Sequence, residues 1–162
     1  MRRAPLLALA AALALAWAIP VRAEAPPFKL ERVNNEDLEY IDYCGIGVSS
    51  PDDELSSDDT HDEQYLFISN FIGDKDPHSG WLKINGKIVT VTMPASEKWF
   101  PIKEHKFKHY WKGDGVEVIL DCTTSYKRDK VDILTGTMTV KADGKARTLP
   151  VAGFLWAYCW NL

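Results

Sequence analysis

The sequence has no apolar run after residue 19 that could cross a bilayer, since a membrane-spanning helix needs about 20 predominantly apolar residues. It also has no excess of positive charge: 19 Lys and Arg residues stand against 23 Asp and Glu residues, which gives a formal net charge of −4. This balance suits neither general nucleic-acid binding nor attachment to an anionic membrane surface. We therefore expect no membrane span in the mature chain and no nucleic-acid partner.

Common motifs of catalysis and cofactor binding are also missing. The sequence has no Gly-rich phosphate loop, no G-x-S-x-G, no H-E-x-x-H and no C-x-x-C. These absences remove the signatures of nucleotide binding, serine hydrolases, zinc proteases and dithiol redox enzymes. The sequence therefore favours a protein that is not an enzyme and carries neither a cofactor nor a metal.

The N-terminus has the three-part layout of a secretory signal peptide. Two arginines follow Met1, residues 6–19 (LLALAAALALAWAI) form an apolar run, and small residues precede the expected cleavage point. The apolar run is shorter than a bilayer span. We predict a signal peptide over residues 1–23, with cleavage after Ala25 as the alternative, and export to the periplasm or the medium.

The sequence contains three cysteines, Cys44, Cys122 and Cys159. In an exported protein a pair of cysteines is expected to be oxidised, and an odd number leaves one unpaired. Cys122 is in phase with Val118 and Leu120 of a predicted strand, which suits a small buried thiol. We therefore favour a Cys44–Cys159 disulfide, which would close a long loop, and keep Cys122–Cys159 as the alternative.

Short β-runs separated by turn residues fill the rest of the chain. We predict one all-β domain over residues 37–162, after an irregular lead-in at residues 24–36. Seven or eight antiparallel strands would form a small barrel or a sandwich. The chain ends on GFLWAYCWNL, residues 153–162, and a strand that is apolar on both faces is expected in the core.

The clearest local prediction is a hairpin at residues 81–93, WLKINGKIVTVTM. Asn85-Gly86 suits a type I′ turn, because that turn needs positive φ at both central residues. The turn sets Leu82 opposite Val89. Other strands are predicted at 40–48, 64–72, 105–111, 116–122, 132–140 and 146–160, with turns at 112–115, 126–131 and 141–145. Gly136 is expected at a bulge, and Pro150 at a sheet edge or a bulge.

Residues 49–64 (SSPDDELSSDDTHDEQ) contain seven acidic side chains. Hard oxygen ligands at this density could hold calcium, but the spacing does not match an EF-hand loop and the glycine of that loop is missing. A solvated loop and a docking surface for a cationic partner are the other interpretations. The candidate binding residues are Asp52, Asp53, Glu54, Asp58, Asp59 and Asp62.

Residues 98–112 (KWFPIKEHKFKHYWK) interleave cations with aromatic rings. Such a mixture can bind sugars or anionic ligands, or it can form strands whose rings are core and whose lysines are solvated. The candidate binding residues are Lys106, Lys108 and Trp111. His105 and His109 would lie about 13 Å apart on a strand, too far apart to share a metal ion.

These features favour an exported, non-catalytic binding protein of the cell envelope, such as an inhibitor or immunity-type factor that masks a secreted enzyme. A lysozyme is one example of such an enzyme, and the acidic segment would complement its positive charge. The alternatives are a small-ligand carrier with an aromatic-lined barrel and an envelope glycan hydrolase with paired carboxylates.

Ser79-Gly80-Trp81 resembles, in its first two residues, the Ser-Gly inhibitory loop of small exported lysozyme inhibitors. Those inhibitors are β domains of similar size. The tyrosine-containing continuation of their loop is absent here, so the resemblance assigns no site residue in this sequence.

Overall fold

The structure is a computed structural model that describes residues 27–34, 38, 44–53, 65–70, 78–94, 106–128 and 131–157. In these ranges the chain forms strands and turns, and no helix in them has the length and apolar character of a membrane span. The strands are β1 (Leu30–Glu31), β2 (Cys44–Ser49), β3 (Phe67–Asn70), β4 (Ser79–Ile84), β5 (Lys87–Thr92), β6 (Lys106–Gly113), β7 (Val116–Arg128), β8 (Val131–Ala142) and β9 (Lys145–Ala157).

Strands β2 to β9 close into an antiparallel barrel. Their order is β4-β3-β2-β9-β8-β7-β6-β5, and β5 pairs back with β4 to complete the ring. The ninth strand, β1, lies outside the ring and pairs with the end of β4. The predicted all-β fold is confirmed, and of the two predicted architectures the chain forms the barrel.

Three two-residue turns lie at one end of the barrel, at Asn85-Gly86, Asp114-Gly115 and Asp143-Gly144. All six turn residues have positive φ, from 48° to 79°. This is the conformation of a type I′ turn, whose twist matches that of the flanking strands. The hairpin predicted at 81–93 is confirmed, and Leu82 pairs with Val89 as expected.

The barrel interior is filled by inward-facing side chains. Alternation along each strand places one residue of every two inside, as expected for a small barrel. Trp111 and Phe67 pack edge to face in the interior, with ring centroids 5.0 Å apart. The other large, fully buried side chains of the interior are Ile46, Leu82, Leu120, Leu134, Met138, Val48, Val91, Val118 and Val140.

The turn predicted at residues 126–131 is in the right place but shorter than predicted. Strand β7 continues to Arg128 and β8 begins at Val131, and these two residues pair with each other. The bulge lies between Thr124 and Tyr126, and Gly136 stays in register opposite Cys122.

The last described strand, β9, runs to Ala157 and has a neighbouring strand on each side. β9 pairs with β8 on one side and with β2 on the other. β2 covers β9 only from Ala152 onward, so Pro150 lies on the stretch where β9 has a free edge. This position suits proline, which has no backbone N–H to donate to a second neighbouring strand.

Within the lead-in at 24–36, short non-local pairs tie the chain to the barrel. β1 pairs with β4, and Val33 forms an isolated bridge with Tyr65. Phe28 is buried in the interior cluster. The Glu31 carboxylate accepts a hydrogen bond from the Gly86 N–H, so the lead-in also holds the β4–β5 turn.

Candidate functional site

The acidic segment leaves the barrel between β2 and β3, at the end that carries the three type I′ turns. Asp52 lies in the turn after β2 and is exposed. The other candidate residues of this segment, except Asp53, lie outside the described residues; they are Glu54, Asp58, Asp59 and Asp62. The docking surface predicted on this segment therefore stays a prediction.

Asp53 is held by the protein itself. Its carboxylate accepts hydrogen bonds from the Arg32 guanidinium and the Ser49 hydroxyl, and from the Ser50 N–H at 3.1 Å. Partial burial opposes ionisation, but these hydrogen bonds and the charge of Arg32 lower the pKa of Asp53 overall. The side chain fixes the turn after β2 and joins it to the lead-in.

The candidates on β6 do not form one surface. Lys106 and Lys108 are exposed on the outer face, where their amino groups lie 3.8 and 3.4 Å from the Asp121 carboxylate. Trp111 is fully buried in the interior. Their separation follows from strand alternation, because residues an odd number apart on one strand point to opposite faces. Trp111 is thus placed as a core residue.

The outer side of β6, β7 and β8 carries two clusters in which one carboxylate contacts two lysines. Asp121 contacts Lys106 and Lys108, as above. Glu117 contacts the Lys112 amino group at 2.8 Å and the Lys141 amino group at 3.0 Å. Hydrogen bonds from Lys112 and Lys141 lower the pKa of Glu117. We call this surface, with its four lysines, the lysine face.

A less polar row crosses the lysine face between the two clusters. Tyr110 pairs with Ile119, and Ile119 pairs with Thr139. All three are half-buried. The exposed threonines of the neighbouring rows are Thr123, Thr135 and Thr137. The sequence reasoning found two of the four lysines, but it had no means of placing Lys112 and Lys141 on either side of one glutamate.

His109 lies inside the barrel beside aromatic rings. Its ring centroid is 5.0 Å from that of Phe107 and 5.9 Å from that of Trp111. Burial, with a smaller contribution from the charge of His78, lowers the pKa of His109 to about 4. At neutral pH the imidazole is therefore uncharged, and its role in the described structure is that of a core residue.

Cys122 is a free, buried thiol on the inner face of β7. Burial, aided by the charge of Asp121, raises the pKa of the Cys122 thiol to about 12, so it stays protonated and is a poor nucleophile. Cys44 begins β2 with its backbone opposite Ala157. The Cys44 side chain and Cys159 lie outside the description, so the Cys44–Cys159 disulfide stays a prediction.

No metal centre is present among the described residues: they contain no group of three or more His, Cys, Asp or Glu side chains that could hold an ion. His105, named above as one half of a histidine pair, lies outside them.

An aromatic cluster on the outer face was not predicted. Trp156 of β9 lies over Gly47 of β2 and meets Tyr65 edge to face, with ring centroids 5.7 Å apart. Ile68, Trp81 and Ile88 also belong to this outer cluster. The sequence signal was the pair of glycines, Gly45 and Gly47, at the outward positions of a strand whose inward positions are apolar.

The Ser-Gly stretch that resembles an inhibitory loop is part of a strand here. Ser79, Gly80 and Trp81 open β4 and pair with β5 through regular register. Gly80 is buried, and a Cβ there would lie 2.6 Å from the Phe67 ring. This glycine allows a core aromatic ring to approach the backbone, which differs from a role in an exposed loop.

Comparisons of the chain with protein-family models, with curated proteins and with solved structures find no match.

Proposed function

We propose that the chain is an exported, non-catalytic binding protein of the cell envelope whose partner contacts the outside of the barrel. The supporting observation is the filled interior. Trp111, Phe67 and Met138 are fully buried, and a fully buried side chain has no water-sized space beside it. A carrier would need an interior cavity lined by such residues, so this packing counts against the carrier alternative.

The described carboxylates also fit a binding protein better than a hydrolase. Glycan hydrolysis uses two carboxylic groups that face each other across a substrate cleft. Glu117 and Asp121 lie on the outer face and contact lysines, and Asp53 contacts Arg32. These carboxylates therefore hold neighbouring strands and turns together and do not face each other across a cleft.

The partner in this proposal is a cationic secreted enzyme, such as a lysozyme, that docks on residues 52–63. Asp52 is exposed at the turn end of the barrel, and the remaining acidic residues follow it in sequence. Opposite charge at this end would speed association and favour cationic partners.

The test is titration calorimetry of the mature protein against a cationic lysozyme. The Asp52→Asn/Asp58→Asn variant should bind about tenfold more weakly at low salt, and the difference should shrink as salt screens the charges. The matched control is Asp114→Asn/Asp143→Asn, which removes the same charge at the same end and keeps residues that suit positive φ. Equal losses in both variants, or no binding at low salt, would overturn the proposal. Asp53 is unsuitable for this test because its loss would disturb the turn.

A further inference from the structure

We infer that the lysine face on the outer side of β6, β7 and β8 binds an acidic polysaccharide. This inference goes beyond the cationic partner proposed above, because it concerns another surface with the opposite charge. The two proposals can therefore fail independently.

The backbone register fixes the spacing of the two lysine clusters. Lys112, Glu117 and Lys141 form one row across three strands, and Lys108 and Asp121 form another. Glu117 and Asp121 are four residues apart on β7, about 13 Å along the strand. A ligand with repeated negative charges could contact both rows at once, whereas a single small anion would reach one.

Among the described residues, each cluster keeps an uncompensated positive charge. Glu117 contacts two lysines, and Asp121 contacts two others, so each carboxylate neutralises one of its pair. The lysine side chains remain between 50% and 74% exposed. A locally positive face on a chain of net charge −4 complements a polyanion.

The surface between the clusters suits a sugar better than an acidic polypeptide. The half-buried Tyr110 ring and Ile119 are neighbouring apolar groups against which the C–H face of a pyranose ring can pack. Exposed Thr123, Thr135 and Thr137 offer hydroxyl groups that both donate and accept hydrogen bonds. Sugar hydroxyls can pair with such groups, while the carboxylate side chains of a polypeptide can only accept.

The experiment measures binding of the mature protein to alginate, a polymer of sugar carboxylates, with neutral dextran and polyglutamate as comparison probes. We expect binding to alginate that weakens at high salt, much weaker binding to polyglutamate and none to dextran. Binding to polyglutamate as tight as to alginate, or no binding to alginate at low salt, would overturn the inference.

Lysine substitutions test whether alginate binds to the lysine face. Lys108→Gln/Lys112→Gln should weaken alginate binding about tenfold. The matched control, Lys87→Gln/Lys145→Gln, removes two exposed lysines elsewhere on the barrel and should leave binding unchanged. An equal loss in the control would mean that net charge alone governs binding, which contradicts a defined site.

A third variant should improve binding. Glu117→Gln frees Lys112 and Lys141 from their shared carboxylate, so alginate affinity should rise about threefold. Tyr110→Ala should lower alginate affinity without changing the salt dependence, because the ring contributes contact and not charge. If Glu117→Gln weakens binding while circular dichroism shows an intact barrel, the geometry argued here is wrong.

Discussion

The two halves of the barrel are built in different ways. In the half formed by β6 to β9, the last three strands have 13, 12 and 13 residues, and neighbours in the sheet are neighbours in sequence. In the half formed by β2 to β5, the described strands have six residues or fewer. Among the described residues of this half, β3 joins β4 through two register pairs, and β5 joins β6 through one.

The difference separates two sources of stability. Long strands joined by tight turns gain many hydrogen bonds for little loop-closure entropy. The short strands are held by pairs far apart in sequence, such as β2 with β9, and by side-chain packing. Phe67 of the short half rests on Trp111 of the long half, so this contact couples the two halves.

Trp111→Ala should break that coupling and have the largest effect. Removing a fully buried tryptophan leaves a cavity, and the free energy of unfolding should fall by about 4 kcal/mol. The indole N–H makes no hydrogen bond to another described residue, so the loss comes from packing. Urea unfolding measures it, and Tyr110→Ala on the outer face of the same strand is the control, with a loss below about 1 kcal/mol. Similar losses in the two variants would mean that the interior does not join the halves.

Acidification should have the second-largest effect on stability, through His109 in the long half. Its pKa is about 4 in the folded protein against 6.5 for the free side chain, so the unfolded chain binds a proton more readily. Stability is then full above pH 6.5 and declines as pH falls toward 4, by about 3 kcal/mol in total. His109→Gln should remove this part of the pH dependence. The check is the difference between the two unfolding curves from pH 7 to pH 4; an unchanged slope would contradict the burial of a neutral imidazole.

Sequence reasoning recovered local pairings, in both halves, better than pairings between residues far apart in the chain. The Asn85-Gly86 turn and the alternation around Trp111 and Cys122 depend on residues close together in the chain. Barrel closure depends on pairs such as Cys44 with Ala157, which no local pattern specifies. The site divided the same way: the interpretation with core rings and solvated lysines matches Trp111, Lys106 and Lys108, whereas the candidate set that groups all three does not form one surface.

Gly47→Ala tests how the short half is packed. A Cβ at this position would lie 2.7 Å from both Trp156 Cη2 and Tyr65 Cε1, so both rings must move. Overpacking of this kind should cost about 2 kcal/mol. The cost should drop in a Trp156→Ala background, because one of the two crowding rings is then absent. A double-mutant cycle in urea checks this, and a cost that is unchanged without Trp156 would mean that this ring does not limit the space at Gly47.

Asp53→Asn should give the smallest loss, because it weakens a contact that ties the lead-in to the short half without opening the interior. The carboxylate binds Arg32 and the Ser49 hydroxyl, and Arg32 is partly exposed, so solvent screens the pair. The expected loss of unfolding free energy is about 1 kcal/mol. In a double-mutant cycle with Arg32→Gln the two losses should be less than additive, since both variants remove the same contact. Additive losses would place Arg32 and Asp53 in separate interactions, and the short half would then be held by β-pairing and aromatic packing alone.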